Sequence, residues 1–153
     1  MSRPEESEQR QLARNLSELL QELRVAQGGV QILFGFLLSI AFSDRYEDVD
    51  GYIRTLHLIT VVLAAVAVAL LTAPAAWHRL LFRQGMRKEI IETANVFAIS
   101  GMVFLALAMI GTVLLLGEAI VGGWLAVAIG VLALVGFGTL WFLLPLLRRN
   151  RAR

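Results

Sequence analysis

The residues of this chain that could do chemistry inside a membrane begin on its first long apolar stretch. Gln27, Gln31, Gly35 and Ser39 follow one another at four-residue spacing, which lays them along one stripe of a helix. An amide donates and accepts hydrogen bonds but carries no titratable proton. The chemistry on offer is therefore contact with an ion or small polar solute, or bonding between helices. Gln31 falls well inside the apolar run, where an amide without a partner is costly. The stripe is expected to face protein or a wet cavity, either as a lined path or as interhelical glue, and the sequence leaves both readings open.

Other polar residues fall at a similar depth in the remaining apolar stretches. Thr72 ends the second, Asn95 and Ser100 open the third, and Thr139 lies in the fourth. Gln27, Gln31, Ser39, Asn95 and Ser100 thus form the candidate intramembrane site. A pocket made of them would bind a small solute or line a vestibule; dispersed, they would serve ordinary interhelical bonding.

The elements that must position these groups are four apolar stretches, at roughly 25–42, 55–73, 93–116 and 123–144 of the 153 residues. Each can cross a bilayer as a helix, which takes about 17–25 residues. The chain is 58% hydrophobic, and 61–71 and 101–116 carry no charge over whole helical turns, unlike the surface of a soluble bundle. The expectation is an all-α integral membrane four-helix bundle, preceded by an amphipathic helix in which Leu12, Leu16, Leu19 and Leu23 recur at spacings of four, three and four. That helix is expected to lie on the membrane surface, to continue the first span or to pack on a partner. The domains so drawn are a tail and amphipathic helix over 1–24, the four-span unit over 25–144 and a basic tail over 145–153.

Charge sets the expected orientation. Arg3, Arg10, Arg14 and Arg24 precede the first span; Arg79, Arg83, Arg87 and Lys88 separate the second and third; Arg148, Arg149, Arg151 and Arg153 follow the fourth. Twelve of the fourteen basic residues therefore share one side, leaving only Arg45 and Arg54 opposite. The positive-inside rule makes the rich side cytoplasmic, with both termini inside the cell (plasma) membrane. Anionic headgroups at the inner face account for the basic balance without a nucleic-acid partner. Trp77, His78, Arg79 and Arg83 read as anchors at that inner interface, and Pro74 just before them can kink the second span. The opposite connection, 43–52, is acidic, and its Tyr46 and Tyr52 suit an outer aromatic belt.

The absences exclude several classes. Cysteine is missing, which removes disulfide relays, thiolate catalysis and iron–sulfur ligation. His57 and His78, the two histidines, stand 21 residues apart, or about 30 Å along a helix, too far to share a haem. Asp48-Val49-Asp50-Gly51 overlaps a calcium-loop pattern, but Tyr46 and His57 occupy its first and last ligand positions. His57 itself reads as a wet interfacial residue. No Asp, Glu, Lys or Arg lies centrally in any span, whereas small multidrug transporters depend on a glutamate where this chain has Gln27 and Gln31. The potassium-filter motif, a Ser/His/Asp cluster, a zinc motif and a phosphate loop are all missing. The chain is expected not to be an enzyme and to carry no cofactor or metal.

The stretch 22–34, ELRVAQGGVQILF, together with Ala73-Pro74 and Trp77-His78-Arg79-Leu80-Leu81-Phe82-Arg83, resembles a family of small actinobacterial membrane proteins of unknown function. The resemblance spans nearly the whole chain, implies the four-span topology and supplies no catalytic residues. In the fourth span Ala126, Gly130 and Ala133 make a small-residue face suited to close packing and inviting a partner, so a homo-oligomer is expected. Two functions follow. One is an oligomeric channel or transporter for an ion or small solute, with the glutamines on its path. The other is a non-transporting scaffold or accessory subunit that binds a protein partner through its cytoplasmic face.

Overall fold

A computed structural model describes the backbone of residues 3–46, 48–80 and 87–151 and the side chains of 10, 11, 14, 15, 17–44, 46, 48–77, 79, 80 and 91–150. Helix α1 covers Arg3–Ala41, α2 Gly51–Leu80, α3 Arg87–Ile120 and α4 Gly123–Phe137. The last continues through a π-helical stretch, Gly138–Leu143, into α5, Leu144–Arg151. Four helical segments are long and apolar enough to cross a membrane: Ser17–Ala41, Gly51–Trp77, Ile91–Ile120 and Gly123–Asn150. The chain is a multi-pass membrane protein built as a four-helix bundle.

The N-terminal segment and the first span are one rod. Helix α1 runs without a break through 39 residues, about 58 Å at 1.5 Å per residue and nearly twice the hydrocarbon thickness. Leu23 is buried and Leu19 packs beside it against the bundle; the side chains of Leu12 and Leu16 lie outside the described residues. The N-terminal part therefore continues the span instead of forming a separate surface helix.

The helices pack serially, α1 on α2, α2 on α3 and α3 on α4, with a smaller contact between α1 and α3. The pairing of α2 with α3 is the most extensive and follows a heptad. On α2 the buried positions are His57, Thr60, Ala64, Ala67, Leu71 and Pro74; on α3 they include Ala94, Ala98, Gly101, Leu105 and Ala108. Alternating steps of three and four keep a seam facing one neighbour, and small residues let the backbones come close. A methyl placed on Gly111 would stand 2.5 Å from the Thr60 hydroxyl, and one on Gly101 would stand 2.8 Å from Leu71.

The short connections are set by their residues. Ahead of α4 the amides of Val121 and Gly122 both donate to the Gly117 carbonyl, at 2.9 and 3.0 Å. Gly122 and Gly123 then turn the chain at φ 65° and 61°, a region that disfavours any residue with a Cβ. Near the end of the fourth span, Pro145 has no amide to donate and its ring crowds the carbonyl four residues back. The wider turn over 138–143 relieves that crowding, and the Leu144 amide donates to Thr139, five residues earlier.

Candidate functional site

The polar groups of the first span separate according to helix geometry. At about 100° per residue, each four-residue step advances about 40° around the axis. A stripe that starts against protein at Gln27 therefore winds toward the outer surface by Ser39. Gln27 is half-buried, and its Nε2 donates to the Leu71 carbonyl of α2 at 2.6 Å. The carbonyl is next to that of Leu70, to which the fully buried Pro74 cannot donate.

Gln31 is exposed on the outer side of α1 and makes no hydrogen bond among the described residues. Ser39 is also exposed and bonds its own helix, donating to the Phe36 carbonyl at 2.7 Å. Asn95 is exposed on α3, while Ser100 and Thr139 are half-buried. Thr72 donates within α2, to the carbonyls of Val68 and Ala69 at 2.8 and 3.1 Å. Of the five residues proposed as a site, only Gln27 forms a bond between helices, and Gln31 and Asn95 face away from the interior.

Among the anchors, Trp77 is half-exposed and meets Phe97 edge-on, with ring centroids 5.5 Å apart at 74°. Arg79 is exposed. The side chain of His78 and all of Arg83 lie outside the described residues. The small face of the fourth span is occupied within the chain, where Ala126 and Gly130 are buried against α3. A methyl on Gly117 would come within 3.3 Å of Ala126, and one on Gly130 within 3.1 Å of Leu114.

A bonded polar cluster lies at the end bearing the α1–α2 connection, and it centres on His57. The imidazole is 3% exposed, not wet. Its Nε2 lies 2.9 Å from the Leu37 carbonyl and its Nδ1 2.9 Å from the Tyr46 hydroxyl. A carbonyl only accepts, so Nε2 carries the proton, and in the neutral ring Nδ1 accepts from the tyrosine. The two rings also meet edge-on at 5.1 Å, and the Arg54 guanidinium stands 5.8 Å from the centre of the Tyr46 ring. The histidine thereby fastens α1, α2 and the 3₁₀ turn Asp44–Tyr46 together. Both nitrogens are occupied, and through them the ring bridges the α1 backbone and the connection. Sequence reasoning missed it, although Tyr46 and His57 flank one short connection and can meet across it.

Beside His57 is a cleft of about 140 Å³ whose lining includes Ile40, Val49, Ile53, Leu115 and Ala119. No group of three metal-ligating side chains converges among the described residues.

Residues 5–145 match a family described only as one of unknown function, DUF6328. The chain belongs to this family. The match covers three spans and most of the fourth and assigns no activity to DUF6328 members. Comparison with curated proteins and with solved structures gave no match.

Proposed function

We propose that this chain is a non-transporting membrane scaffold or accessory subunit, without catalysis of its own, in preference to a channel contained in a single chain. The observation that carries this reading is the interior. Its two core clusters are built from Leu23, Val30, Ala67, Leu71, Ala98 and Leu105, and from Leu37, Ala64 and Ala108. The polar groups inside are engaged: His57 with Leu37 and Tyr46, and Thr60 with the Leu56 carbonyl at 2.7 Å. Among the described residues no buried side-chain polar atom lacks a partner. A path for ions needs groups that exchange partners with the ion, and among the described residues the fully buried polar side chains, His57 and Thr60, are already bonded.

The partner is a protein held at the end that carries both termini, where α1 extends beyond hydrocarbon thickness and the basic residues gather. That end is cytoplasmic in the cell membrane by the positive-inside rule. Purified wild-type protein in sealed liposomes is expected to give no potassium, sodium or proton flux above empty vesicles. Selective, saturable flux from inserted protein would overturn the reading. Deleting residues 1–20 should release a co-purifying protein; retention of every partner contradicts the cytoplasmic attachment. A cysteine at position 150 should react with a membrane-impermeant maleimide only from the cytoplasmic side, and labelling from outside reverses the orientation.

One observation favours a second reading, an oligomeric channel. Gln31 and Asn95 face outward, so copies of the chain could line a path between them. Replacing Asn95, exposed on α3, by leucine would then change flux while leaving assembly intact.

A further inference from the structure

The outward side of α1 is smaller and more polar than the other described outward surfaces. Elsewhere that surface is mostly apolar, as with Leu58, Ile59 and Val62 on α2, Val103 on α3 and Leu132 on α4, although Asn95 is exposed on α3. On α1 exposed Gly28, Gln31, Gly35 and Ser39 stand beside the exposed apolar Val25, Ile32 and Phe36. The spacing continues toward the N-terminus through Ser17, Gln21 and Arg24, so that 17, 21, 24, 28, 31 and 35 alternate steps of four and three. A seven-residue repeat of this kind keeps one face turned toward a partner helix in a left-handed pair.

Two independent observations show that the face is unoccupied in the isolated chain. A methyl built on Gly28 or on Gly35 would meet nothing within 4 Å, so the monomer's own packing does not require these glycines. Each nevertheless weakens the helix by about 1 kcal/mol relative to alanine. The second observation is Gln31, whose amide has no hydrogen-bond partner among the described residues. It lies seven residues beyond Arg24, about 10 Å along the axis toward the membrane centre. Hydrocarbon offers an amide nothing to bond.

We propose that α1 pairs in parallel with α1 of a second copy through Gly28, Gln31 and Gly35. The chemistry selects a second copy. Across a two-fold axis each residue meets its own kind, and glutamine is complementary to itself because one amide both donates and accepts. Gly28 and Gly35, one turn either side of Gln31, remove the bulk that would hold the two backbones apart. The small face of the fourth span cannot do this work, because α3 already covers it. The pairing is independent of whether the assembled protein transports anything.

Because the natural chain has no cysteine, single cysteines report the contact directly in the full-length protein reconstituted in liposomes. Oxidation should cross-link Gly28→Cys and Gly35→Cys strongly and Leu132→Cys and Ile59→Cys weakly. Adding Gln31→Leu to Gly28→Cys should lower the cross-linked fraction about 3- to 10-fold in the dilute regime. Adding Gly35→Ile should abolish it, with helicity and thermal unfolding of the monomer retained. Cross-linking at Leu132 or Ile59 equal to that at Gly28, or none at Gly28 and Gly35 in folded protein, overturns the proposal. So does a Gly35→Ile variant that still cross-links. None of these readouts depends on flux or on capture of another protein, so the scaffold reading stands or falls separately.

Discussion

Glycines on α3 and glycines on α1 occupy opposite surroundings in this bundle. Gly101, Gly111 and Gly117 lie where α3 meets its neighbours, and a methyl on any of them would press on Leu71, Thr60 or Ala126. Gly28, Gly29 and Gly35 lie on α1 with open space around them. The same residue type thus closes the interior in one region and leaves a surface bare in the other. The glutamines repeat the contrast: Gln27 is bonded to α2 and Gln31 faces out. In a membrane the two situations differ in consequence, because a bare polar surface has no water to satisfy it.

Substitutions of matched type sharpen or break this contrast. The largest effect is expected at Gly111. Gly111→Ala puts a methyl against three atoms of Thr60, a residue already bonded to its own helix, and should cost about 1–3 kcal/mol of bundle stability. Thermal unfolding in detergent reads this, and an unchanged midpoint would mean that α2 and α3 are less closely packed than described. His57→Leu is of comparable size. It strands the Leu37 carbonyl and the Tyr46 hydroxyl and should cost about 1–3 kcal/mol, with faster amide exchange confined to the end around residues 37–57. Uniform loss of protection would instead assign His57 to the general core.

Gln27→Leu removes the donor to Leu71 and should cost about 0.6–2 kcal/mol, whereas Gln31→Leu should leave monomer stability unchanged. Equal losses at the two glutamines in dilute detergent would erase the distinction between them. The smallest effect belongs to Gly35→Ala, expected to be neutral or slightly stabilising to the monomer, since a better helix former enters empty space. A clear destabilisation there would show that the monomer itself uses this face.

The four spans were legible because runs of apolar residues this long have few other uses. Which side of each span faces protein was not, since lipid-facing and core-facing residues are both apolar and the usual contrast between helix faces vanishes. The signal that survives is size. The Ala94, Ala98, Gly101 and Ala108 series on α3 follows that signal, whereas the seam on α2 also takes in His57 and Leu71 and leaves Ala65 and Ala69 exposed. The glutamine stripe was legible as a pattern, but its winding by about 40° per step hid that Gln27 and Gln31 face different surroundings. His57 was misjudged because its partners are a main-chain carbonyl and a tyrosine across the connection. A main-chain carbonyl leaves no mark in a sequence. The continuity of α1 through Arg24 was left among alternatives, because an amphipathic pattern does not say whether a helix bends at the membrane surface.

The central claim is that Gln27 bonds within the chain while the outward face of α1 is where this protein meets its own copy. Its most direct test is the self-association of labelled full-length protein in liposomes, followed by energy transfer across a dilution series in lipid, with Gln27→Leu and Gln31→Leu beside the wild type. The account predicts that Gln31→Leu moves the association midpoint to about 3- to 10-fold higher protein-to-lipid ratio, while Gln27→Leu leaves it in place. A midpoint shifted equally by both variants, or moved only by Gln27→Leu, would contradict it.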